Sequence, residues 1–248
     1  MSSPVIETGS GRIEGDGPSR RLLLPALEAV PELAHAFTVS GSDPAAVIAA
    51  MASHPLPLFS LRQVHGAVVV AIDETRPALP VSPAPPGDAL VTARRGAALS
   101  VHVADCVPIL LADPVAGLVA AVHAGWRGTV AGILPATLRM FRARGGRTTN
   151  VRMAMGPSIG SCCFEVGEEV VEAFRRSVPD AGPCIVPGQR PRIDLIEANR
   201  RQALALGVGP ENIGAAGLCT VCRPDLLESH RRSGGAPGRM TGIVAWLS

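Results

Sequence analysis

A chain of 248 residues with 47% apolar and 18% charged content is long enough for one sizeable core or two small ones, which excludes whole-chain disorder, collagen-like repetition and a small disulfide scaffold. All 23 basic side chains are Arg, and Lys and Tyr are absent, so a Walker A loop, a pyridoxal Schiff base and any lysine or tyrosine general base are out of reach. The formal net charge is only +2 and the basic stretches 142–147 and 231–239 contain no aromatic residue, so no nucleic-acid groove with stacking platforms is expected.

Residues 1–21 are rich in Gly, Ser and acidic side chains. They read as a disordered leader without the positive-then-apolar pattern of a secretory signal, followed by one domain over 22–248. Ser42, Asp43 and Pro44 ahead of an Ala-rich stretch to Met51 predict a helix with Pro44 at its first position. Residues 58–72 are strand-like, interrupted by Arg62, Gln63, His65 and Gly66, and the Pro-rich 76–86 is a surface loop. Segments 99–103, 107–112 and 118–122 are apolar on both alternating faces, as suits central strands covered on both sides. Helical periods follow at 129–142, 166–176 and 195–205, with a strand near 151–155. Residues 243–247 end the chain as an apolar strand. These elements predict a single α/β domain in which helices cover the faces of a mixed β-sheet. No uncharged apolar run reaches membrane-spanning length, so no membrane partner is expected and a cytoplasmic location is, with the six Cys kept reduced.

Three candidate metal ligands stand where an apolar strand gives way to a polar turn. They are His65 in Arg-Gln-Val-His-Gly, Cys106 in Val-Ala-Asp-Cys-Val-Pro and His123 in Ala-Val-His-Ala-Gly-Trp-Arg-Gly. Strand ends of one sheet can converge, and two imidazoles with one thiolate match zinc in softness while leaving a fourth position open. Spacing alone leaves open a plainer reading, two core histidines and a buried thiol. Asp105, beside Cys106, is placed to orient an imidazole or shuttle a proton. The turn Gly125-Trp126-Arg127-Gly128 brings an Arg fork where it can meet an anion. Elsewhere, Cys219 and Cys222 form a CxxC and Cys162 and Cys163 a vicinal pair, either a second, structural zinc site or ordinary thiols. Cys184 reads as a buried thiol, His102 as a packed core histidine, and 156–160 as an anion-binding turn or simply a tight one. His35 and His54 are given no role.

The motifs Gln63-Val64-His65-Gly66, Gly87-Asp88-Ala89-Leu90-Val91-Thr92, Ala104-Asp105-Cys106-Val107-Pro108, Ala121-Val122-His123-Ala124-Gly125-Trp126-Arg127-Gly128, Gly156-Pro157-Ser158-Ile159-Gly160, Cys163-Phe164-Glu165-Val166-Gly167, Cys219-Thr220-Val221-Cys222-Arg223-Pro224-Asp225-Leu226 and Gly238-Arg239-Met240 occur in this order. Over roughly 58–248 the chain resembles the laccase-domain, or YfiH-like, proteins, variously described as polyphenol oxidases, purine nucleoside phosphorylases and peptidoglycan editing factors. The resemblance implies zinc ligands at His65, Cys106 and His123, and a layered α/β sandwich similar to the bacterial toxin-like cysteine-histidine hydrolase fold. It also implies phosphorolysis of adenosine, inosine and methylthioadenosine, and deamination of adenosine, so that purine nucleosides and phosphate are the expected partners. Val103 departs from a usual Thr or Ser, and Val221, His230 and Ser233 replace Tyr, Tyr and Asp of the C-terminal motif.

Deamination needs an activated water, for which zinc at Cys106 and the two histidines is the source and Asp105 the nearest proton carrier. Phosphorolysis needs a cationic cradle, for which Arg62 and Arg127 are the candidates, each within four residues of a ligand. Copper oxidation of phenols at the same three ligands competes with this reading. A four-copper laccase cluster, though, calls for on the order of ten imidazoles, and the chain has six His. Hydrolysis of a peptidoglycan precursor, with Cys106 as nucleophile or ligand, and a non-catalytic metal-carrying domain complete the alternatives.

Overall fold

Period-two apolar patterning sorts much of the chain into strands whose two faces bury different neighbours. The computed structural model describes residues 6–8, 10–73, 84–235 and 238–247. Its strands are β1 (Ile6–Thr8), β2 (Gly11–Glu14), β3 (Arg21–Leu23), β4 (Leu33–Thr38), β5 (Leu58–Phe59), β6 (Val69–Ile72), β7 (Ala89–Thr92), β8 (Ala97–Val103), β9 (Val107–Asp113), β10 (Leu118–Ala124), β11 (Arg152–Met155), β12 (Ile185–Val186), β13 (Arg192–Ile193), β14 (Ile213–Ala215) and β15 (Met240–Trp246). The helices are α1 (Pro25–Glu28), α2 (Pro44–Met51), α3 (Trp126–Val130), α4 (Ile133–Ala143), α5 (Glu168–Ser177), α6 (Leu195–Ala205) and α7 (His230–Ser233).

The protein has a mixed α/β fold. One sheet runs β1-β2-β3-β4-β15-β8-β5 and a second runs β14-β11-β9-β10-β7-β6, while β12 and β13 pair apart. Both large sheets are mixed, with β5 parallel to β8 in the first and β6 parallel to β7 and β14 parallel to β11 in the second. The sequence suggested one mixed sheet with helices on its faces; the structure divides the strands into two and stacks them. The reason lies in the doubly apolar strands. On β9, Val107, Ile109 and Leu111 pack with Leu134, Leu138, Phe141, Val171 and Phe174 of the helices. The alternate residues Leu110 and Ala112 pack instead with Leu99, Val101 and Val244 of the other sheet. The outer face of that other sheet, through Ala98, Ile243 and Ala245, is covered by Val47 and Ile48 of α2. Helix, sheet, sheet and helices thus form four layers.

The expected disordered leader over 1–21 does not hold for residues 11–21. β2 pairs with β3, Ile13 lies opposite Leu22, and both side chains are buried. Arg12, Ile13 and Glu14 form a short polar-apolar-polar strand, and ion pairs from Arg12 to Glu28 and from Arg21 to Glu14 dress its polar face. Gly and Ser on either side hid that pattern. α2 starts at Pro44, with the Asp43 side chain accepting the Ala45 N–H. The helix expected over 129–142 is two, α3 and α4, separated at Gly132, whose φ of 79° a helix interior does not adopt. Most of the Pro-rich 76–86 segment lies outside the described residues. Among those described, no helix is long and apolar enough to cross a membrane.

His35 acquires a role here. It is buried in β4, and its Nε2 accepts the Leu24 N–H at 3.0 Å. Burial, helped by the charge of Arg12, pushes its pKa down to about 4, against about 6.5 for a solvated imidazole. The native state therefore binds fewer protons than the unfolded chain between these values. The corresponding stability is present above pH ~6.5 and is lost as pH falls toward 4, by up to about 3 kcal/mol. Unfolding midpoints of the wild type should drop between pH 7.5 and pH 5 more than those of His35→Gln; equal drops would contradict the assignment.

Candidate metal centre

The antiparallel register of β9 and β10 sets His123 opposite Pro108 and Ala124 opposite Val107. That register carries Cys106, one residue before β9, to the level of Gly125. His65 arrives from the loop between β5 and β6. The ligating atoms of His65, Cys106 and His123 lie within 4.8 Å of one another, and the two imidazole rings meet edge-on with centroids 4.7 Å apart. His123 is buried, Cys106 half-buried and His65 exposed, so the cluster opens to solvent on the His65 side.

Two residues that sequence reasoning gave no role hold this arrangement. The first is Asp88, fully buried just ahead of β7. Its carboxylate accepts the backbone N–H groups of Val64, His65 and Gly66 at 3.2, 2.9 and 2.7 Å, and the His123 Nδ1–H at 2.9 Å. Three successive amides closing on one carboxylate offset the cost of the left-handed backbone at His65, where φ is 59°. The same carboxylate fixes the His123 tautomer and leaves Nε2 for the cluster. The second is Gln63, whose side-chain amide donates to the His102 carbonyl and accepts the His102 N–H, both at 2.8 Å. It pins the His65 loop to the end of β8.

Electrostatics within the cluster suit a cation. Although burial pushes the Cys106 thiol up, hydrogen bonds with His123 and His65 bring it down to about 7. Burial works against protonation of His123 as well, but Asp88 and Cys106 raise it to about 9. A near-neutral thiol beside two imidazoles, one oriented by a carboxylate, is a donor set that fits a borderline-soft divalent ion. Gly125 clears the space for it. A Cβ there would stand 2.7 Å from Cys106 Sγ and 3.3 Å from His65 Cδ2. Gly125→Ala should therefore weaken metal binding about tenfold or more while the chain still folds; a zinc competition titration reads this, and unchanged affinity would contradict the geometry.

Asp105 sits in the cluster's wall but does not orient an imidazole. Its φ is 94°, and its two oxygens accept the Thr220 hydroxyl at 2.5 Å and the Arg231 N–H at 2.7 Å. It ties two distant segments to the Cys106 turn, and the orienting carboxylate is Asp88. A charged residue heading the apolar run Ala89-Leu90-Val91 of β7 was the available sequence signal.

A cavity of about 330 Å³ adjoins the cluster, lined by the three candidate ligands with His102, Asp105, Ile159, Phe164, His230, Arg231 and Arg239 among others. That volume is within the range of small-molecule sites, roughly 300–1,000 Å³. Arg62 and Arg127 do not line it. Arg62 is exposed and bridges to Pro86 through backbone, and Arg127 is exposed with its guanidinium 4.4 Å over the Trp126 ring. The cavity's cations are Arg231 and Arg239 instead. Arg231 reaches the Cys163 and Glu165 carbonyls at 3.4 and 3.2 Å and lies over Phe164. His102 lines the cavity, half-buried, with Nδ1 paired to Thr241 Oγ1 at 3.1 Å, so it is not packed away in the core. The amides of Gly156, Ser158, Ile159 and Gly160 are taken by Pro108 O, Leu218 O, Asp105 O and Cys219 Sγ, which makes 156–160 a structural turn. A cavity of about 360 Å³ beside α2 is lined mainly by Ala, Ile, Pro and Leu and brings together no comparable set of ionisable groups.

Comparison with known proteins gives concordant matches. Residues 42–247 match the family described as multi-copper polyphenol oxidoreductase laccase. The chain is 42% identical over 190 residues to adenosine deaminase RL5 from an unknown prokaryotic organism, covering 73% of this chain and 72% of that one. It is 40% identical over 191 residues to purine nucleoside phosphorylase YlmD of Geobacillus stearothermophilus, covering 73% and 69%. The solved structure of the Bacillus licheniformis hypothetical protein YfiH superposes with a TM-score of 0.85 at 27% identity, covering 95% of this chain and 99% of that one. The structure of YlmD superposes with a TM-score of 0.80 at 30% identity, covering 99% and 100%.

Proposed function

Since this chain is an enzyme belonging to the multi-copper polyphenol oxidoreductase laccase family, we propose that it cleaves purine nucleosides with phosphate and deaminates adenosine, using zinc held by His65, Cys106 and His123. The observation that carries this reading is a single cavity joining a two-imidazole, one-thiolate cluster to Arg231 and Arg239. Relatives named purine nucleoside phosphorylase and adenosine deaminase support it.

When bound, zinc supplies Lewis acidity toward an oxygen ligand such as water or phosphate. The chain's own residues do the rest. Asp88 holds both imidazoles in place, and Cys106 serves as a ligand thiolate. Phosphate needs fixed positive charge, and in a chain without Lys that charge comes from Arg. Arg239 and Arg231 supply it at the cavity wall. Ile159 and Phe164 present an apolar surface to the purine. Asp105, which also accepts from Thr220 and Arg231, lines the cavity together with His102 and His230, and these three are its candidate proton carriers.

Arg239→Ala should raise the KM for phosphate about tenfold or more, the loss of one charge-assisted contact, while Arg127→Ala shifts it by less than about twofold. The reverse order would return the phosphate site to Arg127. The substrate class is tested by a panel of inosine with phosphate, adenosine alone, and a phenol with copper. Equal amounts of hypoxanthine and ribose 1-phosphate from the first, and ammonia from the second, are expected. A single copper fits the same donors, so product from the phenol alone would overturn the proposal in favour of oxidation.

A further inference from the structure

The four cysteines that the nucleoside chemistry leaves unused come together at a second place. Cys162 and Cys163 occupy the turn after Gly160, Cys219 and Cys222 the turn after Leu218, and their four sulfurs lie within 4.8 Å of one another. Cys222 Sγ is 3.7 Å from Cys162 Sγ and 3.5 Å from Cys163 Sγ, and none of the four is in a disulfide. A tetrahedral ion with metal–sulfur bonds of about 2.3 Å keeps its sulfurs about 3.8 Å apart. The two Cys222 separations are close to that figure, and all four sulfurs lie near enough for one ion to gather them.

The backbone is already shaped for it. The Arg223 N–H donates to the Cys219 carbonyl at 3.2 Å and closes the Cys-Thr-Val-Cys turn, and the Cys163 N–H donates to Gly160 O at 2.9 Å and closes the other. The turns are joined by a bridge between Ser158 and Cys219 and by the Thr220 N–H on Ser158 O at 3.0 Å. The Gly160 N–H donates to Cys219 Sγ at 3.3 Å. Backbone N–H groups aimed at a sulfur stabilise its thiolate form, the form that binds metal.

We infer that Cys162, Cys163, Cys219 and Cys222 bind one zinc ion in a second, structural site of four thiolates. The ion staples the two turns that wall the cavity. Ile159 and Phe164 belong to the first turn, and Thr220 of the second donates to Asp105. Arg231 rests on the Cys163 carbonyl, so the same staple fixes the position of one phosphate-facing cation. This inference does not depend on the substrate proposed above.

Metal analysis of the full chain, purified under reducing conditions, tests it. Wild type should carry two zinc ions, Cys106→Ala one, and Cys106→Ala combined with Cys222→Ser none. Cobalt substitution of the otherwise unaltered chain provides a reading free of folding defects in variants, because four thiolates give stronger charge-transfer and visible absorption than two imidazoles and one thiolate. The four-thiolate spectrum should persist in Cys106→Ala. A cobalt-loaded wild type without it, or a Cys162–Cys222 disulfide in the reduced preparation, would overturn the site.

Discussion

Exchanging Asp88 for Ala is expected to weaken zinc binding at His65, Cys106 and His123 by about tenfold to a hundredfold or more and to destabilise the fold by roughly 3–5 kcal/mol. One buried carboxylate accepts three backbone N–H groups of the His65 loop and the Nδ1–H of His123. Its loss orphans the buried His123 Nδ1–H and three partly buried loop amides, at up to about 1–3 kcal/mol each before relaxation and less where water reaches the amides. It also releases the left-handed backbone at His65 and the tautomer of His123, so both imidazoles lose their aim together. Asp88→Asn keeps the volume but turns an NH2 toward some of these donors, so it should rescue little. Zinc competition titration and urea unfolding read the two effects separately. Undiminished zinc affinity in Asp88→Ala would remove this residue from the account.

Deleting residues 243–248 should prevent folding. β15 lies between β4 and β8 in the middle of its sheet, and Ile243, Val244, Ala245 and Trp246 are each no more than 3% exposed. Val244 and Trp246 face the second sheet while Ile243 and Ala245 face α2, so truncation opens both layers, splits the sheet and leaves β4 and β8 each with one unpaired edge. Burial of side chains of this size is worth about 1.5–3 kcal/mol each. The loss, with the ladder hydrogen bonds, approaches the roughly 5–15 kcal/mol that holds a domain folded. The truncated chain should be insoluble or lack a cooperative transition; cooperative unfolding near the wild-type midpoint would contradict this placement of β15.

The sequence was most legible where pattern is local. Residues 107–112 and 118–122 are apolar on both faces, and that periodicity alone puts them at the centre of layers. It does not say that one of those faces meets a second sheet, because the partner strands β8 and β15 lie far apart in the chain. β2 escaped because one buried side chain, Ile13, among Gly and charged neighbours is too short a signal. At the site, Cys106 and His123 were visible as chemistry-bearing residues at strand ends and His65 as one in a polar insert, which the structure places in the loop between β5 and β6. Asp88 was not, since its importance lies in amides and an imidazole more than twenty residues away. Proximity in sequence pointed to Arg62 and Arg127. Proximity in space belongs to Arg231 and Arg239, brought in by the Asp105 carboxylate holding the start of α7 and by β15 leading away beside His102.

The central claim is that the cluster of His65, Cys106 and His123 is where nucleosides are cleaved. Its most direct test is inosine phosphorolysis by metal-depleted protein titrated with zinc, in the wild type and in a folded Cys106→Ala variant. The wild type should regain phosphate-dependent release of hypoxanthine as zinc is added, and the variant should stay at least about a hundredfold slower at every zinc level, the scale of a lost metal ligand. Phosphorolysis by the variant at the wild-type rate would contradict it.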